Sequence, residues 1–343
     1  MAGEIRIGIS GWRYPPWRGT FYPPDLTQAK ELHYASRQVR TIEINGSFYS
    51  LQRPEYYAAW RDDTPDDFVF SVKGGRYLTH LRRLKDVAQP LANFFASGVL
   101  QLGAKLGPFL WQLPPMFTFK AERLADFFQL LPRNTRDAAR LARRHSLPAD
   151  RSSIEVLVER PLRHALEVRH ASFLTPEFVT LLHQHDIAVV VADTAGKWPL
   201  IEDVTSDFVY VRLHGDEELY VSGYTDAALN DWARKIRAWS RGTEARGTKR
   251  LGGPNPEARE RDVFVYFDND VKVRAPYDAM ALAHKLKLGP KPAAAPIIDA
   301  DVRPLLAAAR ERWPGYGRER KRQRSATRVA RASRTRRKVQ RSR

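Results

Sequence analysis

The sequence predicts a single (β/α)8 barrel of the TIM type, trailed by a disordered basic tail. Eight short apolar runs alternate with segments of helical spacing along the chain, the pattern of a parallel sheet closed on itself. Three of those runs end in polar residues two apart: Glu43 and Asn45, Glu167 and Arg169, Arg212 and His214. Side chains two apart on a strand share a face, so three such faces converge only when the strands ring one site. A length of 343 residues with 43% hydrophobic content permits one large barrel or two ordinary domains, and the alternation selects the barrel.

The strand runs are, in order, Ile5–Ile9, Thr41–Ile44, Phe68–Val72, Phe109–Leu113, Ala165–Arg169, Ile187–Asp193, Phe208–Leu213 and Val263–Phe267. Each is short enough to be a strand. Helical spacing fills Leu26–Arg37, Glu55–Arg61, Leu84–Leu100, Ala121–Leu130, Arg136–Arg144, Pro176–His185, Asp226–Arg241 and Tyr277–Leu286. Between the sixth and seventh strands, Thr194–Asp207 has room for little more than a turn. Arg241–Arg261, with Gly252, Gly253 and Pro254, reads as a surface insertion. The barrel is expected over 1–290, a linker rich in Pro and Ala over 291–317, and the tail over 318–343.

The net charge of +18 is concentrated in that tail, where 13 Lys or Arg face a lone acid, Glu319. With no aromatics and few large apolar residues, it cannot bury enough surface to offset chain entropy and is expected to be disordered when free. Arg318, Arg320, Lys321, Arg322, Arg324, Arg336, Arg337 and Lys338 form its candidate polyanion-binding set, for non-specific contact with RNA or DNA. A solvated extension is the competing reading. The chain has no cysteine, which excludes disulfides, zinc–thiolate sites, iron–sulfur clusters and thiol nucleophiles, and suits a reducing cytoplasm. No apolar stretch approaches the roughly 20 residues of a membrane span, and no export signal opens the sequence; a cytoplasmic protein is expected.

The strand ends carry the candidate chemistry. Glu43 and Glu167, across the barrel mouth, suit a division of acid and base roles, and His214 before Gly215 suits a base; these are the candidate catalytic groups. Pairing with a nearby Arg or Lys is the structural alternative for both acids. Lys73, Arg169 and Arg212 offer cationic donors to phosphate or carboxylate, with Asn45 and Asn269 as further binding groups. Trp12, Tyr14 and Tyr49, together with Trp17, Phe48, Tyr220 and Tyr224, offer surfaces for a sugar or base, or simply packing. A divalent metal ion is a possible cofactor, its candidate ligands being Glu43, Glu167, Asp193, His214 and Asp270, although no compact metal motif is present. There is no GxGxxG fingerprint, Walker loop or GxSxG elbow.

Several motifs resemble those of the YecE-like proteins, the DUF72 family. They are Gly8-Ile9-Ser10-Gly11-Trp12-Arg13-Tyr14, Trp17-Arg18-Gly19, Phe21-Tyr22-Pro23, Glu43-Ile44-Asn45, Phe70-Ser71-Val72-Lys73, Gln112-Leu113-Pro114-Pro115, Glu167-Val168-Arg169-His170, Arg212-Leu213-His214-Gly215 and Phe267-Asp268-Asn269-Asp270. The resemblance runs in order from Ile5 to Leu288 and implies a TIM-type barrel without an assigned reaction. Asp268 and Asp278 depart from it, standing where the family pattern carries asparagine.

The functional expectation is an enzyme, a hydrolase or isomerase, acting on a phosphorylated or carbohydrate-like substrate by acid/base or metal-assisted chemistry. Its partner would be a small anionic or sugar-like ligand. The alternative is a nucleic-acid-associated binding protein that uses the barrel mouth and the tail.

Overall fold

In the computed structural model, which describes residues 2–216, 222–252, 259–270 and 272–295, eight parallel strands close into one barrel in sequence order. They are β1 (Ile5–Ser10), β2 (Thr41–Ile44), β3 (Val69–Lys73), β4 (Leu106–Gln112), β5 (His164–Glu167), β6 (Ala188–Asp193), β7 (Phe208–Leu213) and β8 (Asp262–Phe267). Around them lie α1 (Glu31–Gln38), a short α2 (Gly46–Tyr49), α3 (Pro54–Asp63), α4 (Ala88–Ala96), α5 (Ala121–Leu130), α6 (Thr135–Ala142), α7 (Pro176–Gln184), α8 (Asp226–Ser240) and α9 (Arg274–Lys285). All eight expected strands are present. As the spacing indicated, no helix separates β6 from β7.

Two helix expectations need correction. The stretch Leu84–Leu100 is not one helix: α4 stops at Ala96, and Gly98, in the left-handed region at φ 97°, turns the chain into a 3-10 segment. Helix α1 starts only at Glu31, after a separate turn at Gln28–Lys30. The fifth strand ends at Glu167, so Arg169 lies just past it. The tail at 318–343, Tyr220, Gly253, Pro254 and the linker from residue 296 onward lie outside the described residues.

Period-2 patterning sorts the strand residues into two apolar populations. Ile42, Ile44, Phe70, Val72, Phe109, Trp111, Val209, Val211, Val263 and Val265 face outward into the helix layer and form the larger core. Leu110, Ala165, Ala188, Val190, Ala192, Phe208, Tyr210, Phe264 and Tyr266 face inward and fill the lumen. Gly8 serves this closure directly, since a Cβ on it would fall 1.7 Å from the Thr41 carbonyl oxygen on β2.

Above the apolar filling, the lumen turns polar. Tyr266 and Thr41 hydroxyls are 2.9 Å apart and those of Tyr210 and Ser71 2.7 Å apart, so each buried phenol has a partner. By the same parity, the next inward residues toward the carboxyl end are Ser10, Glu43, Lys73, Gln112, Glu167, Arg212 and Asp268. The alternation that builds the core therefore also delivers a ring of polar groups to one rim.

Candidate functional site

Arg212, at 1% exposure, is the centre of that ring. Its Nε and Nη2 donate to the two oxygens of Glu43 at 3.0 and 2.9 Å, and its Nη1 donates to Glu167 at 2.8 Å. Nη2 also reaches the Ser10 hydroxyl at 2.9 Å and Asp268 at 3.2 Å. Glu43 accepts two further bonds, from Ser10 at 2.6 Å and Tyr210 at 2.7 Å. Glu167 takes the Gln112 amide on both oxygens at 2.9 Å and Arg169 Nε at 2.8 Å. Burial alone would raise the Glu167 carboxyl, but Arg169 and Arg212 outweigh it and hold the group well below its ordinary value. Asp268 is lowered the same way: Arg212 and His214 overcome its burial.

His214 is fully buried with Nδ1 2.9 Å from Asp268 Oδ2 and Nε2 3.3 Å from Arg212 Nη1. A guanidinium only donates, so Nε2 must present its lone pair and Nδ1 must carry the proton. Burial, then Arg212, lowers the imidazole, with Asp268 and Glu167 pulling the other way. The expected base thus has its free lone pair turned toward a cation. In this arrangement His214 orients Asp268 and Arg212.

Lys73 ends β3 with its Nζ 4.4 Å from the centroid of the Phe48 ring. Asn45 donates to the Ser10 hydroxyl at 3.0 Å and so joins the network from the start of α2. Asn269 does not: its amide donates to Asp278 at 2.7 Å and to the Ser222 carbonyl at 3.0 Å, tying β8 to α9 and the β7–α8 loop. Of the aromatics, Trp12 is buried edge-on to Trp60 and packs on Phe70, Tyr14 donates to the Ser10 carbonyl, and Tyr49 is 54% exposed on α2. Among the described residues, no group of three or more His, Asp or Glu side chains is arranged to hold a metal ion. Arg212 sits between the two glutamates expected to serve as ligands, Asp193 accepts from the Tyr224 hydroxyl, and the Asp270 carbonyl accepts from the Trp17 indole.

Beside the network, at the β6 end, lies a cavity of about 480 Å³ lined by Asp193, Trp198, Leu200, Lys249 and Arg250 among others. The Arg169 guanidinium stacks 3.9 Å above the Trp198 ring, so cavity and network share a wall. Burial raises the Asp193 carboxyl, and the Tyr224 hydroxyl and Ala195 N–H only partly offset it. Ser10, Gln112, Tyr210, Asp268 and Trp198 were not among the sequence candidates. Parity would have found the first four, whereas Trp198 lies in an irregular loop with no period to mark it.

Fold and site together define a (β/α)8 barrel with a buried, charge-matched centre at the carboxyl ends of its strands, where barrel enzymes keep their reactive groups. The particular lineage follows from comparison. The profile of the family described as "Protein of unknown function DUF72" matches residues 6–299, and the chain belongs to that family. It is 28% identical over 195 residues to UPF0759 protein YecE of Escherichia coli K12, covering 55% of this chain and 59% of YecE. It is 29% identical over 126 residues to UPF0759 protein YunF of Bacillus subtilis, covering 35% of this chain and 44% of YunF. The chain thus spans under two thirds of the curated relatives it matches. A DUF72 family protein of Thermotoga maritima superposes with a TM-score of 0.61 at 23% identity, over 83% of this chain and 99% of that one. A second, from Enterococcus faecalis, gives 0.59 at 17%, over 87% of this chain and 100% of its own. These likenesses speak for the fold. No helix among the described residues is long and apolar enough to cross a membrane.

Proposed function

We propose that this protein is an enzyme, a hydrolase or isomerase, that acts on a small carbohydrate-like substrate by acid/base chemistry at the carboxyl end of the barrel. The observation that carries this reading is the shared wall: the Arg169–Trp198 stack joins the charge-matched network to a cavity of sugar size whose acid, Asp193, burial holds toward its protonated form. An aromatic face and a carboxyl whose hold on a proton is raised by burial are the groups that a sugar ring and its oxygens call for. Within the network at most three cations, Arg212, Arg169 and Lys73, face the acids Glu43, Glu167 and Asp268, so no surplus positive charge is present, which favours a neutral polyol there over a dianion. A phosphate on the substrate fits instead at the cavity rim, where Lys249 and Arg250 stand exposed. A cytoplasmic location accords with the cysteine-free sequence. The basic tail adds a second role, a sequence-independent tether to RNA or DNA, supported by its charge density.

Titration calorimetry with neutral pentoses and hexoses and with their phosphates tests the reading, each against Trp198→Ala and Asp193→Asn. Binding that both substitutions weaken supports it. Hits then go to two assays: deuterium uptake from heavy water beside the carbonyl marks isomerisation, and release of reducing ends marks hydrolysis. Absence of binding across the panel, or binding indifferent to Trp198, overturns it.

A further inference from the structure

Among the described residues, three lysines are buried, and two of them have ordinary structural reasons to be so. Lys105 donates to the carbonyls of Arg61 and Thr64 at 2.6 and 2.7 Å, and Lys235 pairs with Glu202 at 2.8 Å. Lys73 differs. At 8% exposure its Nζ has no hydrogen-bond or ion-pair acceptor among the described residues, only the Phe48 face. The neighbouring carboxylates are already engaged by Arg212, Arg169, Gln112, Ser10 and Tyr210. A buried ammonium ordinarily uses its three N–H donors, so a lysine left without acceptors at a reactive rim is suited to work as an amine. Burial, and then the Arg212 guanidinium, push Lys73 below its ordinary value, while Glu43, Glu167 and Asp268 pull the other way.

The backbone also fits. Lys73 is held at its carbonyl by the Ser47 hydroxyl at 2.6 Å, and Gly74 and Gly75 follow it. Gly74 is required in any case, since a Cβ there would meet the Trp111 ring at 2.2 Å.

We infer that Lys73 is a covalent amine nucleophile that forms an imine with the open-chain carbonyl of a small aldose or ketose. The inference takes the sugar-like substrate class from the function proposed above. The Nζ lone pair attacks the carbonyl carbon and one N–H proton passes to the oxygen, giving a carbinolamine; loss of hydroxyl with the second N–H proton releases water and leaves C=N. No oxidant or reductant is involved. Protonation of the imine places on that nitrogen a positive charge which Glu43, Glu167 and Asp268 attract. That cation is the electron sink that isomerisation or carbon–carbon cleavage beside a carbonyl requires.

The test uses the full chain, glycolaldehyde as probe and cyanoborohydride to trap the iminium at pH 7, with peptide mapping of every lysine over time. Lys73 is expected to acquire the reduced adduct several-fold faster than the exposed lysines despite its burial. Lys73→Arg, checked for an unchanged unfolding midpoint, should lose the fast phase and leave the slow background. Modification of Lys73 at or below the exposed-lysine rate overturns the inference. The calorimetry above is read separately: sugar binding without a Lys73 adduct removes the imine and leaves the substrate class, whereas a fast adduct with no Trp198-dependent binding keeps the imine and removes the cavity reading.

Discussion

Asp278→Asn should make the protein more stable, and increasingly so as pH rises. Asp278 sits on α9 at 6% exposure, where its Oδ2 accepts from the Tyr224 N–H at 3.1 Å and from the Asn269 amide at 2.7 Å. Burial pushes the carboxyl up to about 6, with those two bonds pulling part of the way back. The sign follows from linkage. A group that holds its proton more tightly when folded loses nothing at low pH, then costs stability as pH climbs from its unfolded value near 3.8 through about 6, with the full cost above that. A separation of roughly two units corresponds to about 3 kcal/mol at pH 8. Asparagine keeps an acceptor oxygen for both N–H groups and carries no charge to desolvate, so the substitution should recover most of that amount. Urea unfolding of both proteins from pH 4.5 to 8 should show a difference that starts small, grows through pH 6 and levels off. A gain independent of pH, or a loss at pH 8, would refute the claim that the burial of this carboxylate is what costs stability.

Replacing Arg212 by Met should destabilise by about 3–5 kcal/mol in urea unfolding, because three buried carboxylates lose their common cation; a change under about 1 kcal/mol would show that the centre is not held by charge. On the acid side Glu167 and Asp268 are depressed, so their stabilisation is complete above the ordinary carboxylate range and disappears as pH falls through it and below. Glu167→Gln should accordingly flatten the acid limb of the unfolding midpoint, and an unaltered limb would assign acid unfolding to other groups. Deleting residues 318–343, which carry 13 of the 57 Lys and Arg, should flatten the salt dependence of RNA or DNA binding; an unchanged slope would move nucleic-acid contact to the barrel.

Period and parity made the barrel legible, because each strand had to send alternate residues to helix and lumen. The pairs Glu43/Asn45, Glu167/Arg169 and Arg212/His214 were readable for the same reason, and the structure brings all six into one network. What sequence could not disclose is who pairs with whom. Arg212 meets Glu43 across 169 positions of chain, and whether that arginine serves a ligand or neutralises two glutamates depends on side-chain reach across the lumen. His214 shows the same limit, since its Nε2 lies 3.3 Å from a guanidinium whose direction the sequence does not give. Trp12 was readable either as a surface for a sugar or base or as packing, and the contacts with Trp60 and Phe70 are packing that no local pattern discloses.

The reach of Arg212 also sets an order of events during synthesis. A growing chain that has placed β1 to β6 holds Glu43 and Glu167 facing a half-enclosed lumen, with the cation that bridges them still to come. Such a partial barrel cannot dry its interior without stranding charge, so it stays open to water and to chaperones and proteases. Once β7 enters, a single guanidinium satisfies the acids from β2 and β5, and the acid at the end of β8 joins it as the last strand closes the barrel. The group at the middle of the candidate site is therefore also the one that lets the barrel close without stranding charge.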